Sequence, residues 1–161
     1  MGLRHHPPLG SPEGTVWEGG PVDSCRVTLR ISGPDLDPDE ITRLLQCDPT
    51  FSQKRGERWK IRDRLSDQTA ASGRWHYRLT SEACEQESVQ GVIRTLFARL
   101  PQNPKLWATL SQKWKIDLFC GLFLETENRG FELSSELCRD LAQRGISIGF
   151  DIYFGKTRRI T

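Results

Sequence analysis

Paired cysteines, long apolar runs, an excess of one charge and glycine-rich nucleotide motifs are all missing from this 161-residue chain, and each absence removes a class of function. The five cysteines, Cys25, Cys47, Cys84, Cys120 and Cys138, are odd in number, widely scattered and never spaced as Cys-x-x-Cys. A disulfide scaffold and a zinc ribbon are therefore excluded, and reduced thiols in a cytoplasmic chain are expected. No apolar stretch approaches the roughly 18 residues of a membrane span, and the N-terminus has no apolar signal core, so no membrane partner is expected. Lys and Arg total 23 against 21 Asp and Glu, a net charge of +2, so any electrostatic role must come from local clustering.

Catalytic and cofactor signatures are equally sparse. There is no Gly-x-Gly-x-x-Gly and no Gly-Lys-Ser/Thr; Gly130, Gly145, Gly149 and Gly155 stand alone, as turns and a helix stop require. His5 and His6 are adjacent but have no cysteine or carboxylate cluster at ligand spacing, so neither a metal nor any other cofactor is expected. Asp35, Asp37 and Asp39 imitate the start of a calcium loop. The imitation ends there: Glu40 stands where that loop needs Gly, and Gln46 where it needs Glu.

What is present is the patterning of one packed domain. Residues 1–22 are rich in Pro and Gly and read as a flexible lead-in, 23–156 as a single domain, and 157–161 as a short basic tail. Val27, Leu29 and Ile31 alternate with polar residues, which predicts a strand with one buried face. Asp37 as N-cap, Pro38 at the first helical position and Glu40 in a reciprocal cap start a helix with Ile41, Leu44 and Leu45 inward, ended by Asp48-Pro49. Strands follow at 58–62 and 74–79, with Trp59, Trp75 and Tyr77 toward the core and a polar loop at 63–73 between them.

The second half echoes the first. Val89, Val92, Ile93, Leu96, Phe97 and Leu100 keep helical spacing to Pro101, and Asn103-Pro104 opens another helical piece. Ile116 to Leu124 make a strand with apolar residues on both faces, and an acidic turn at Glu132 leads to a helix capped by Ser134 that stops at Gly145. A last strand alternates from Ile146 to Phe154. The order predicts an α+β fold: a two-layer α/β sandwich with a ferredoxin-like βαββαβ core extended by one helix and one strand, its sheet mostly antiparallel or mixed.

The strongest chemical signal is basic. Residues 54–64 hold six cations and only two carboxylates, among them Lys54, Arg55, Arg58, Lys60 and Arg62, and pairing with the next strand would add Arg74, His76 and Arg78. His76 lies on an outward face with no nucleophile beside it, and its arginine neighbours favour the neutral form. These eight residues form the expected binding face of a non-enzymatic module with an acidic protein partner. Phosphates or nucleic acid on the same face are the alternative, disfavoured because the nearby aromatics are expected to point inward. A carboxylate-based enzyme using Glu125, Glu127, Glu132 or Asp151 is the second alternative.

Residues 35–42, Pro49-Thr50, Lys54 to Gly56, Gly73-Arg74-Trp75, Gly130 to Ser134 and Phe150 to Tyr153, in that order, resemble a bacterial domain-of-unknown-function family, number 4279. The resemblance spans about residues 25–154. It implies a small bacterial α/β domain with no established mechanism, cofactor or ligand, so it transfers no site residue. A regulatory or immunity-like role rests on fold-level analogy alone.

Overall fold

The computed structural model describes residues 20–61, 64–81, 88–125 and 129–155. Cys84, Arg62, Glu127, the segment 1–19 and the tail 156–161 lie outside them. Their elements are β1 (Gly20–Pro21), β2 (Ser24–Gly33), α1 (Pro38–Leu45), β3 (Phe51–Gln53), β4 (Arg58–Ile61), β5 (Arg64–Thr69) and β6 (Gly73–Ser81). After these come α2 (Val89–Ala98), α3 (Pro104–Lys113), β7 (Lys115–Leu124), β8 (Arg129–Gly130), α4 (Ser135–Gln143) and β9 (Ser147–Phe154).

Five strands form the main sheet in the order β3-β6-β2-β7-β9, antiparallel throughout except for the parallel pair β7/β9. The first four follow the ferredoxin-like βαββαβ order, and α4 with β9 adds the extension. The fold class is therefore α+β, as the alternation predicts. One assignment changes: the short β3, not the segment at 58–62, is the second strand of the core. Residues 58–61 instead pair with β5 in an inserted hairpin, where a loop was expected.

One face of the sheet carries the core. Cys25, Val27, Leu29 and Ile31 of β2, Trp75 of β6, and Ile116, Leu118, Cys120 and Leu122 of β7 meet Ile41, Leu45, Ile93, Leu96, Trp107, Leu110, Leu137 and Leu141 from the four helices. Period-two burial on strands and the i, i+3, i+4 stripe on helices make this a two-layer sandwich. Trp75 is fully buried, and its indole N–H donates to the Thr42 hydroxyl on α1 at 3.1 Å. Trp107 packs edge-on against Phe97 and donates to the Pro101 carbonyl at 2.8 Å.

The caps are local. Asp37, Asn103 and Ser134 each accept from a backbone N–H of the first turn they open. Asp37 takes the Asp39 N–H at 3.1 Å. The first helix ends earlier than Asp48-Pro49 suggests, at Leu45 with Gln46 left-handed (φ 50°), and Leu44 turns out to solvent. Gly73 has a steric reason: a Cβ there would stand 1.9 Å from the Leu36 carbonyl oxygen, where the turn into α1 crosses β6. Gly145 leaves α4 at φ +66°.

Candidate binding surface

Because side chains alternate across a strand, a β2 that buries Val27, Leu29 and Ile31 must present Arg26, Thr28, Arg30 and Ser32 on the opposite face. The register then fixes their neighbours. Ser32 lies opposite Arg74 and Lys115, Arg30 opposite His76 and Asp117, Thr28 opposite Arg78 and Phe119, and Arg26 opposite Thr80 and Gly121. Gly149 and Asp151 of β9 continue the last two rows beside Phe119 and Gly121, and Tyr153 lies beside Phe123 in the next row, which faces Ser24. On the other side β3 places Phe51 beside His76 and Gln53 beside Arg74.

This open face holds Arg26, Arg30, Arg74, Arg78 and Lys115 against Asp117 and Asp151. No helix among the described residues packs on it. The arginines are organised by rings. Arg30 pairs with Asp117 at 2.6 Å and lies 4.6 Å above the Phe119 ring, Arg26 lies 5.8 Å from Phe123, and Arg74 lies 4.7 Å from Trp59 of the hairpin. Phe123 and Tyr153 stack at 5.1 Å and 12°, with the Tyr153 hydroxyl donating to Asp151. That bond to a carboxylate raises the tyrosine pKa.

His76 sits at the centre of the positive charge. Burial first, then Arg30, Arg74 and Arg78, lower its pKa to about 4, with Asp117 opposing them. It is therefore a neutral side chain at physiological pH, tilted against the Phe51 ring at 5.1 Å. The charge of the surface is an arginine charge.

The eight residues singled out by sequence fall into three groups. Lys54 and Arg55 turn away from the face and close the acidic turn: Lys54 reaches Asp39 at 2.6 Å and Asp37 at 3.3 Å, and Arg55 approaches Asp35 at 3.8 Å. The backbone N–H of Asp39 and then Lys54 lower the Asp37 pKa, and the two carboxylates raise that of Lys54. Arg58 and Lys60 lie on the hairpin strand β4, which pairs with β5 and not with β6; Arg62 is outside the described residues. Arg74, His76 and Arg78 share the open face with each other.

Sequence reasoning missed Arg26, Arg30 and Lys115, although the alternation of β2 already set Arg30 opposite the buried side. Of the three aromatics expected toward the core, Trp75 and Tyr77 pack there and Trp59 does not. Trp59 meets Arg74 on the open side, where Phe119, Phe123 and Tyr153 also lie, as the alternation of their strands places them.

The clefts of the helix layer have a different character. One of about 460 Å³ between α2 and α4 is lined by Arg144, whose guanidinium donates to the Asp140 carbonyl and to Gln102 and covers Phe97 and Trp107. Of the four carboxylates weighed for catalysis, Glu127 is outside the described residues, Glu125 just after β7 and Glu132 between β8 and α4 are exposed, and Asp151 is tied to Tyr153. Among the described residues no three metal-ligating side chains cluster, and no helix is long and apolar enough to cross a membrane. Cys120 is an inert core thiol, its pKa pushed up to about 12 by burial.

Fold and surface together define a ferredoxin-like α+β sandwich whose sheet keeps one face open, basic and ring-bearing. The chain belongs to the family described as a domain of unknown function, DUF4279, whose model matches residues 23–155. No match was found among curated proteins or among solved structures.

Proposed function

We propose that this domain is a non-enzymatic cytoplasmic binding module that engages an anionic partner through the open face of its sheet. The support is the register of β2, β6 and β7, which sets four arginines and one lysine around a neutral His76 with two carboxylates to balance them. Arg26 and Arg78 are exposed, and each is steadied by an aromatic ring or a hydroxyl: Phe123 for Arg26, and the Thr28 oxygen 3.4 Å from Arg78 Nε. Guanidinium groups held in place lose less freedom on binding a carboxylate or phosphate than mobile lysines do.

The test is retention on heparin. Wild type is expected to elute at a defined salt concentration, and Arg26→Glu/Arg78→Glu to lose most of that retention while keeping its melting temperature, because both side chains are exposed. Lys54→Glu is the contrasting variant, since Lys54 is engaged by the acidic turn; it is expected to change retention little. Equal retention of wild type and the double variant would contradict the assignment.

A further inference from the structure

Charge alone would suit any anion, but three features of the open face select for one. The rings there are not a core turned outward: Tyr153 is 48% and Phe51 38% exposed, at opposite edges of the sheet. Each is backed by a second ring system, Tyr153 by Phe123 at 12° and Phe51 by His76, so its orientation is set before any ligand arrives. Between them, Phe119 presents its face through the Arg30 guanidinium plane at 4.6 Å. A path from Tyr153 to Phe51 crosses Phe119 and runs among Arg26, Arg30 and Arg78, alternating flat surfaces with cations.

Glycine keeps that path low. Gly121 and Gly149 occupy the open face beside Phe119, and a Cβ at Gly149 would meet nothing within 4 Å. Flat π-surfaces separated by guanidinium groups match a polymer that alternates planar bases with phosphates, whereas a sulfated sugar or an acidic peptide uses only the cations.

We infer that the open face binds single-stranded nucleic acid, with bases stacking on Tyr153, on the Arg30–Phe119 pair and on Phe51, and phosphates held by Arg26 and Arg78. This rests on the anion-binding reading above and adds the chemical class of the ligand. A duplex keeps its bases stacked on each other and cannot offer them to these rings.

Fluorescence anisotropy with labelled oligothymidylate, the same strand in duplex, and unlabelled heparin or polyglutamate as competitors separates the two levels. Wild type is expected to bind the single strand at least ~10-fold more tightly than the duplex. Tyr153→Ala/Phe51→Ala, which removes two stacking platforms, should lose ~30-fold or more in single-strand affinity with heparin retention unchanged. Arg26→Glu/Arg78→Glu should lose both.

Three results overturn the inference. Equal affinity for single strand and duplex, with the ring variant indistinguishable from wild type, removes base stacking but leaves anion binding intact. Displacement of the strand by polyglutamate at equal charge, unaffected by the ring substitutions, assigns the face to an acidic polypeptide. Absence of binding to both oligonucleotide and heparin removes the inference and the anion-binding reading together.

Discussion

Trp75→Ala is expected to lower the stability of the domain by about 3–5 kcal/mol, the range for deleting a large buried aromatic. The indole is fully buried in the central sheet and donates its N–H to Thr42 of α1, so the substitution leaves a cavity and removes that bond, while the Thr42 hydroxyl keeps its own donation to the Pro38 carbonyl. A domain of this size typically holds about 5–15 kcal/mol in all, so much of it would be lost. Urea unfolding followed by tryptophan fluorescence and by far-ultraviolet circular dichroism checks the value. Trp75→Phe, which keeps most of the volume, should restore part of the loss. A cost below about 1 kcal/mol for the alanine variant would mean that β6 does not seat against α1 as described.

Acid should weaken the fold through His76. Its folded pKa is about 4 against an ordinary 6.5. Between those values the unfolded chain binds a proton that the folded chain refuses, so stability is complete above about pH 6.5, declines as pH falls, and that contribution is lost below about 4. The full shift corresponds to at most about 3 kcal/mol, and partial solvation of the ring reduces the expected effect to about 1–2 kcal/mol between pH 7 and pH 5.

The groups facing His76 are Arg74 and Arg78 on its own strand, Arg30 and Asp117 across the sheet, and Phe51 from β3. His76→Gln removes the titration and keeps the polar outline. The difference in urea stability between wild type and this variant should therefore change with pH by about 1–2 kcal/mol over that interval. Carboxylates with lowered pKa values, Asp37 and Glu136, contribute in the same direction at lower pH and cancel in the comparison. A difference independent of pH would show that His76 is more solvated than its burial implies.

These two residues also mark how far the sequence could be followed. Trp75 and His76 are adjacent, and alternation alone sends one inward and the other out. The same rule placed Arg30 outward on β2, and the caps at Asp37, Asn103 and Ser134 were legible because an N-cap is a short-range bond between a side chain and its own first turn. The α+β class and the ferredoxin-like core followed from the alternation of elements, although the second core strand is β3 and not the segment at 58–62.

What was not legible depended on pairing between distant segments. Nothing local distinguishes Phe51–Gln53, a three-residue edge strand, from a loop, whereas Arg58–Ile61 has stronger alternation and yet folds back on β5. Assigning the hairpin to the sheet centred the basic face on Lys54 to Arg62. The register moves that centre to Arg26, Arg30, Arg74 and Arg78, with Lys54 and Arg55 closing the acidic turn of α1. Whether Phe119 and Phe123 are covered could not be read from a strand apolar on both faces. Which face the helices cover decides it, and that is a property of the packed layers.

The claim on which the rest depends is that ligand contact falls on the open face of the sheet. The most direct measurement is a magnetic-resonance titration of isotope-labelled protein with a short heparin fragment, following backbone amides together with arginine Nε–H signals. The expected result is progressive shifts of the Nε–H groups of Arg26, Arg30 and Arg78 and of the amides of β2, β6 and β7, with α2, α3 and α4 unmoved. Shifts confined to the helix layer, or to Arg94 and Arg144 in the cleft between α2 and α4, would contradict it.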